Sequence, residues 1–166
     1  MKHTLTSLLT ITVTLLVIAS CDNSTTQPFV EPDLSTVSDP YDTTGVEKVS
    51  LDDDLAYYEL EEGTGSFKVE SRDAVALFIT ARLQDGTIIT STYTDGRTTP
   101  QTEQVASFAT TGFRRGIIGM KADGKRVIVS PPELAYGDAQ PGSINYAYRN
   151  ETIIFDVLID QILIAQ

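Results

Sequence analysis

From Leu51 to Gln166 the apolar residues come in short alternating or continuous runs broken by turn formers, a rhythm of strands rather than of long helices. Ala56 to Leu60 predicts a first strand, ended by Glu62-Gly63-Thr64-Gly65. In Val75 to Leu83 the odd positions Val75, Leu77, Ile79, Ala81 and Leu83 are all apolar, which gives this strand one buried face. Asp85-Gly86 predicts a tight hairpin turn, because Gly accepts positive φ, and Thr87 to Thr92 returns beside the long strand. Thr94 to Gln104 is polar and predicts a loop. Thr110 to Gly119 predicts the chain's one helix, a short one. Lys125 to Ser130 predicts a strand stopped by Pro131-Pro132, which cannot donate to a ladder. Glu133 to Gly137 predicts a tight helical turn, and Thr152 to Leu163 a nearly continuous apolar strand suited to mid-sheet. Together these predict an α+β fold: a strongly bent antiparallel β-sheet wrapped on one short α-helix.

The first fifty residues read differently. Lys2 and His3 precede a mostly apolar run from Leu5 to Ala19, about 15 residues and short of the roughly 20 that span a membrane. A basic start, an apolar middle and a small-residue exit make up a secretory signal. The exit, Ile18-Ala19-Ser20-Cys21, resembles a bacterial lipobox. That resemblance implies that residues 1–20 are a lipoprotein signal peptide and that Cys21 becomes the lipidated first residue. It places the protein at the cell envelope, lipid-anchored to a membrane and facing the periplasm or exterior. More than one acyl chain would make membrane residence stable. An ordinary signal peptide with an incidental Cys is the alternative. After the lipidated Cys, residues 21–50 are rich in Ser, Thr, Asp and Pro, with Pro28, Pro32 and Pro40, and show no lasting period. They predict a flexible acidic tether, with the globular domain at 51–166.

Composition narrows the chemistry. The chain has 166 residues, 12 Lys plus Arg against 23 Asp plus Glu, and a formal charge of −11. So acidic a balance argues against a nucleic-acid partner. His3 is the one His and Cys21 the one Cys, and no Trp occurs. With His3 in the segment expected to be removed, no imidazole remains for a Ser-His-Asp or Cys-His machine or for a His-ligated metal. A lone Cys builds neither an internal disulfide nor a thiolate zinc site. What remains is hydroxyls, carboxylates, amines and the shape of an apolar pocket. Asp52-Asp53-Asp54 lacks calcium-loop spacing and reads as a solvated run, and Arg114-Arg115 as exposed charges on the short helix.

Two segments carry a family signature. One runs from Gly116 to Gly137, GIIGMKADGKRVIVSPPELAYG; the other from Thr152 to Asp160, TIIFDVLID. With the hairpin at Asp85-Gly86, their order and spacing resemble the macrolide-binding immunophilins, the FKBP-type peptidyl-prolyl isomerases, over about residues 55 to 164. The resemblance implies catalysis of rotation about X-Pro bonds in exported proteins, with no cofactor and no metal. Partners would be proline-containing polypeptide clients and, through Cys21, a membrane; the chain would be monomeric and would bind no nucleic acid.

Carried over position by position, the resemblance implies catalytic roles for Tyr136, whose hydroxyl would bond the ligand carbonyl, for Phe155 as a pocket wall, and for Phe113 at the floor, where the family usually has Trp. Read without that context, Phe113 and Phe155 are core aromatics. Substrate-binding positions would be Ile79, where Tyr is usual; Ile89 and Thr90, in place of a Phe-Asp pair; and Ala109 and Thr110, at a Val-Ile edge. Ile144, Tyr146 and Tyr148, in the loop from Asp138 to Arg149, would supply an apolar lip. Glu133 and Asp156 take structural roles. The loss of the Phe-Asp pair keeps open a non-catalytic peptide-binding chaperone or envelope-complex subunit, and beyond it a purely structural lipoprotein.

Overall fold

The structure, a computed structural model, describes residues 30–165, so the expected signal peptide and Cys21 lie outside the described residues. Seven strands and one helix follow in order: β1 (Lys48–Ser50), β2 (Ala56–Glu61), β3 (Ala74–Arg82), β4 (Ile88–Ser91), β5 (Gln101–Gln104), α1 (Thr111–Ile117), β6 (Lys125–Ser130) and β7 (Ile153–Leu163). They form a single antiparallel sheet in the order β1-β2-β6-β7-β3-β4, with β5 also on β3. The long apolar run of β7 takes a central place between β6 and β3, as a strand with neighbours on both edges requires.

The free edge of β3 is shared. β4 covers Thr80 to Arg82 and β5 covers Ala74 to Leu77. Between them the chain leaves the sheet from Thr92 to Pro100. It is tied back by the Thr92 amide, which donates to the Ile79 carbonyl at 2.9 Å, and by the Ile79 amide, which donates to Thr92 Oγ1 at 3.0 Å. The loop expected from Thr94 to Gln104 thus contains a 3₁₀ turn at Thr94–Gly96 and then a strand. Every residue of β5 is polar, so no apolar alternation marks it as one.

The expected tether also differs from the structure over its second half. Lys48 to Ser50 pair with Ala56 to Tyr58, which moves the start of the sheet ahead of residue 51. Upstream, Asp33, Thr36 and Ser38 bond backbone and side-chain groups of the β4–β5 loop and of Arg82. A polar segment without an apolar face gives no sign of order by itself; here its partners come from distant strands. The acidic run and the helix cations likewise meet, since Arg115 pairs with both Asp52 and Asp53. Both carboxylates are largely exposed, so the pairs add little stability.

The core lies between α1 and the concave face of the sheet and includes Leu77, Val105, Phe113, Ile117, Ile128, Phe155 and Val157. Helix α1 approaches β6 closely. A Cβ on Gly116 would stand 2.6 Å from Ile128 Cγ2, and one on Gly112 2.0 Å from Ser130 Oγ. Arg126, on β6 and 3% exposed, closes the C-terminal end of the helix by donating to the Gly116 carbonyl at 2.6 Å and to the Ile118 carbonyl at 3.1 Å. Its guanidinium also lies 3.9 Å over the Tyr57 ring and pairs with Glu59.

Replacing Gly116 therefore sets helix propensity against overpacking. Ala gains up to about 1 kcal/mol as a helix former, but its methyl meets a fully buried Ile128 and costs about 1–3 kcal/mol. Gly116→Ala is expected to lower the unfolding free energy by about 1 kcal/mol in a urea titration, with Ile128→Val recovering part of it. A more stable Gly116→Ala protein would contradict the close helix–sheet contact.

Candidate functional site

A cleft of about 700 Å³ opens between the inner face of the sheet, the N-terminal end of α1 and the β4–β5 loop, within the usual size range of small-ligand sites. The two-residue period of β3 and β7 directs Ile79, Ala81 and Phe155 into it. Ala81 stands in register with Phe155 on one side and Thr90 on the other, so three neighbouring strands each give one residue to the same wall.

The floor is aromatic. Phe113, 2% exposed on α1, meets Phe155 at 5.1 Å between ring centroids with a 59° tilt. On its other side it meets Phe108 edge to face, at 4.8 Å and 70°. Phe108 is held by Arg114, which donates to the Phe108 carbonyl at 2.6 Å and to Thr111 Oγ1 at 2.8 Å. Arg114 thus fixes the segment leading into the helix, which is more than the expected exposed charge.

Tyr136 lines the cleft from the turn after β6. Burial, and then the neighbouring Tyr148, push its hydroxyl above the ordinary tyrosine range, so it stays a protonated donor at neutral pH. No protein group accepts from it among the described residues, which leaves the hydroxyl for a ligand carbonyl. The rest of the rim is mostly hydroxyls and apolar atoms, with the Gln101 carboxamide and with Arg97 and Glu103 as its charged residues. Among the described residues no group of His, Cys, Asp or Glu side chains is arranged to hold a metal ion.

Residues 65–160 match the family FKBP_C, described as FKBP-type peptidyl-prolyl cis-trans isomerase. The chain belongs to this family. A FK506-binding protein from Streptomyces anulatus is 29% identical over 102 residues, covering 61% of this chain and 81% of that protein. Among solved structures, FkpA from Escherichia coli is similar with a TM-score of 0.60 and 28% identity, over 72% of this chain and 53% of FkpA. This chain therefore spans about half of that relative. A peptidyl-prolyl cis-trans isomerase from Pseudomonas syringae pv. tomato, at 24% identity, shares the fold with a TM-score of 0.59 over 70% of this chain and 81% of its own.

The FKBP cleft brings together seven of the residues expected from the sequence: Tyr136, Phe155, Phe113, Ile79, Thr90, Ala109 and Thr110. Four others stand elsewhere. Ile89 is the unpaired residue of a bulge, since Ala81 pairs with Thr90 and Arg82 with Ile88; it packs on the core instead of lining the cleft. Ile144 is 90% exposed at a loop tip. Tyr146 covers the Arg149 guanidinium at 4.0 Å, and Tyr148 packs on the core with its ring 6.1 Å from that of Tyr136. The expected apolar lip is thus corrected: none of the three lines the cleft, and Tyr148 acts on it through Tyr136.

Phe108, Arg97 and Glu103 line the FKBP cleft without having been expected there. Only Phe108 left a signal, a large aromatic five residues before Phe113 in an otherwise small and polar stretch.

The free hydroxyl of Tyr136 separates function from stability. Tyr136→Phe is expected to lower kcat/KM on a prolyl peptide about tenfold, the worth of one hydrogen bond to a ligand carbonyl, with the urea midpoint unchanged. The folded-state pKa lies above the unfolded value of 10.0. Stability from this group is therefore full below about pH 10 and declines as pH rises through the folded-state value. Activity should hold level from neutral pH to about 9 and fall only as phenolate forms. A titration near neutrality would contradict Tyr136 as the donor.

Proposed function

We propose that this chain is a lipid-anchored peptidyl-prolyl cis-trans isomerase that assists folding of exported proteins at the cell envelope. The observation that carries the isomerase reading is the cleft itself: an apolar floor of Phe113 between Phe108 and Phe155, lined also by Tyr136, whose hydroxyl has no partner among the described residues. The lipobox-like Ile18-Ala19-Ser20-Cys21 supports the anchor.

The reaction suits a site built this way. Rotation about X-Pro faces a barrier of about 18–20 kcal/mol, set by amide resonance. No bond breaks, so no nucleophile, metal or acid-base pair is needed. The twisted amide has lost resonance and carries less charge separation than the planar one, and an apolar floor favours it over the hydrated ground state. A donor from Tyr136 to the ligand carbonyl and a ring-shaped floor hold the prolyl segment, and whatever part of that binding is stronger in the twisted geometry becomes rate.

A specific observation favours a second reading, a non-catalytic peptide-binding module. Thr90 gives the wall a hydroxyl where the resemblance implies a carboxylate, and Ile89 has left the cleft. Such a module would bind prolyl segments without accelerating them.

Proline-limited refolding of a reporter protein decides between them. Catalytic amounts of the purified chain, retaining residues 33–50, are expected to accelerate the slow phase, which otherwise takes tens to hundreds of seconds. An unchanged slow phase, with the chain folded and prolyl peptide bound, would favour the binding module. Cys21→Ser is expected to move the protein from the membrane fraction to the soluble fraction of cells; retention in the membrane fraction would contradict the anchor.

A further inference from the structure

Behind the cleft, the opposite face of the sheet is buried around Thr80, Arg82 and Asp156. Strand period sends Ile79 and Ala81 of β3 and Phe155 of β7 into the cleft, and their neighbours Thr80, Arg82 and Asp156 the other way. Arg82 Nε donates to Asp156 Oδ2 at 3.1 Å, both side chains being 6% exposed. The Arg82 Nη2 atom donates to the carbonyl of Ser38. Tyr41 is half-buried beside Asp156 and Tyr93, and burial first, then these neighbours, push its hydroxyl up. Tyr93 in turn stacks on Phe78 of β3, at 4.9 Å and 8°.

The same segment grips the loop that forms the cleft's rim. Thr36 Oγ1 donates to the Tyr93 carbonyl at 2.7 Å and accepts from the Gly96 amide at 3.1 Å. The Asp33 amide donates to Asp95 Oδ1 at 2.8 Å, and the Asp95 amide to the Asp33 carbonyl at 3.0 Å. Asp95 and Gly96 both have positive φ, at 58° and 69°. The turn's own bonds are few and long: the Arg97 amide to the Thr94 carbonyl and Thr94 Oγ1 to the Ser91 carbonyl, each 3.3 Å. The amides of Asp95 and Gly96 are thus held from outside the loop, between Thr94 and Arg97, which line the cleft.

We propose that residues 33–41 are a strap that positions the cleft rim, with Thr36 as its principal positioning residue. It acts on ligand affinity through the Thr94–Arg97 turn and touches no ligand itself. This rests on the isomerase reading and deepens it, because the strap belongs to the segment that would follow the lipid anchor.

The test uses the full chain with Thr36→Ala, and Thr36→Ser as the conservative variant. In Thr36→Ala, amide exchange at Asp95 and Gly96 is expected to quicken, KM for a prolyl peptide to rise about threefold, the worth of one partly exposed hydrogen bond, and kcat and the thermal midpoint to stay in place. Thr36→Ser should restore KM. Quickened exchange with KM unchanged would overturn the strap, as would a fall in kcat alone or a lowered thermal midpoint with KM unchanged. A wild-type chain that binds prolyl peptide without turnover is read by the same threefold change in Kd. Wild-type protein with neither activity nor affinity would sink both the isomerase reading and the strap; active wild-type protein matched by Thr36→Ala would sink the strap alone.

Discussion

Nine residues of β3 pair antiparallel with β7, with one register shift between Ala76 and Leu77, and from Leu77 to Arg82 the pleat sends alternate side chains of both strands to opposite faces. Around Ala81 and Phe155 both faces are buried. On the inner side Leu77 and Val157 meet the helix and core, and Ile79, Ala81 and Phe155 line the cleft. On the outer side the Arg82–Asp156 pair is buried under the segment around Ser38 and Tyr41. A charged pair buried this deeply is tolerable only while its hydrogen bonds are made. Arg82 gives one donor to Asp156 Oδ2 and another to the Ser38 carbonyl, so the outer segment supplies one of the hydrogen bonds this pair needs, while Asp156 Oδ1 meets no partner among the described residues.

The helix depends on the same sheet from the other side. Two glycines one turn apart, Gly112 and Gly116, bring α1 onto β6 at backbone distance, and Arg126 satisfies the carbonyls where it ends. A helix of seven residues would not persist alone. Its position is therefore set by contact, and with it the height of Phe113 at the cleft floor. Because Phe108 and Phe155 pack on the two sides of that ring, the floor is part of the core: the residues that would receive a proline in the proposed reaction are the ones that hold the helix to the sheet. Phe113 and Phe155 are at once core aromatics and residues that line the cleft.

This double use explains what the sequence disclosed. Strands with an apolar face were legible: Lys125 to Ser130 was predicted with the bounds that β6 has, and β3 and β7 to within a residue. The signature strings were legible because glycine and proline positions carry backbone demands that few other residues meet. What stayed hidden lacks apolar periodicity. β5 is four polar residues held by pairing with β3. Residues 33–41 are ordered by carbonyls, amides and hydroxyls whose partners lie about sixty positions away, and local composition holds no trace of such contacts. Ile89 was misplaced for a third reason: a bulge adds one residue to β4 and changes which side chain faces the cleft, and an alternating pattern read along the strand does not reveal where the count slips.

The same polar contacts bear on how an anchored isomerase would meet its clients. Were residues 21–50 all free, Cys21 and the folded domain at Leu51 would be joined by 30 residue steps, up to about 100 Å of extended chain. With contacts beginning at Asp33 among the described residues, twelve steps separate the proposed anchor from the first of them, at most about 40 Å. On the proposed anchoring, an acidic domain on the shorter leash would work close to the surface from which exported chains emerge, where the effective concentration of a tethered partner is higher. The strap that holds the cleft rim continues directly into the proposed leash, so a substitution that frees residues 33–41 would both relax the rim and lengthen the reach.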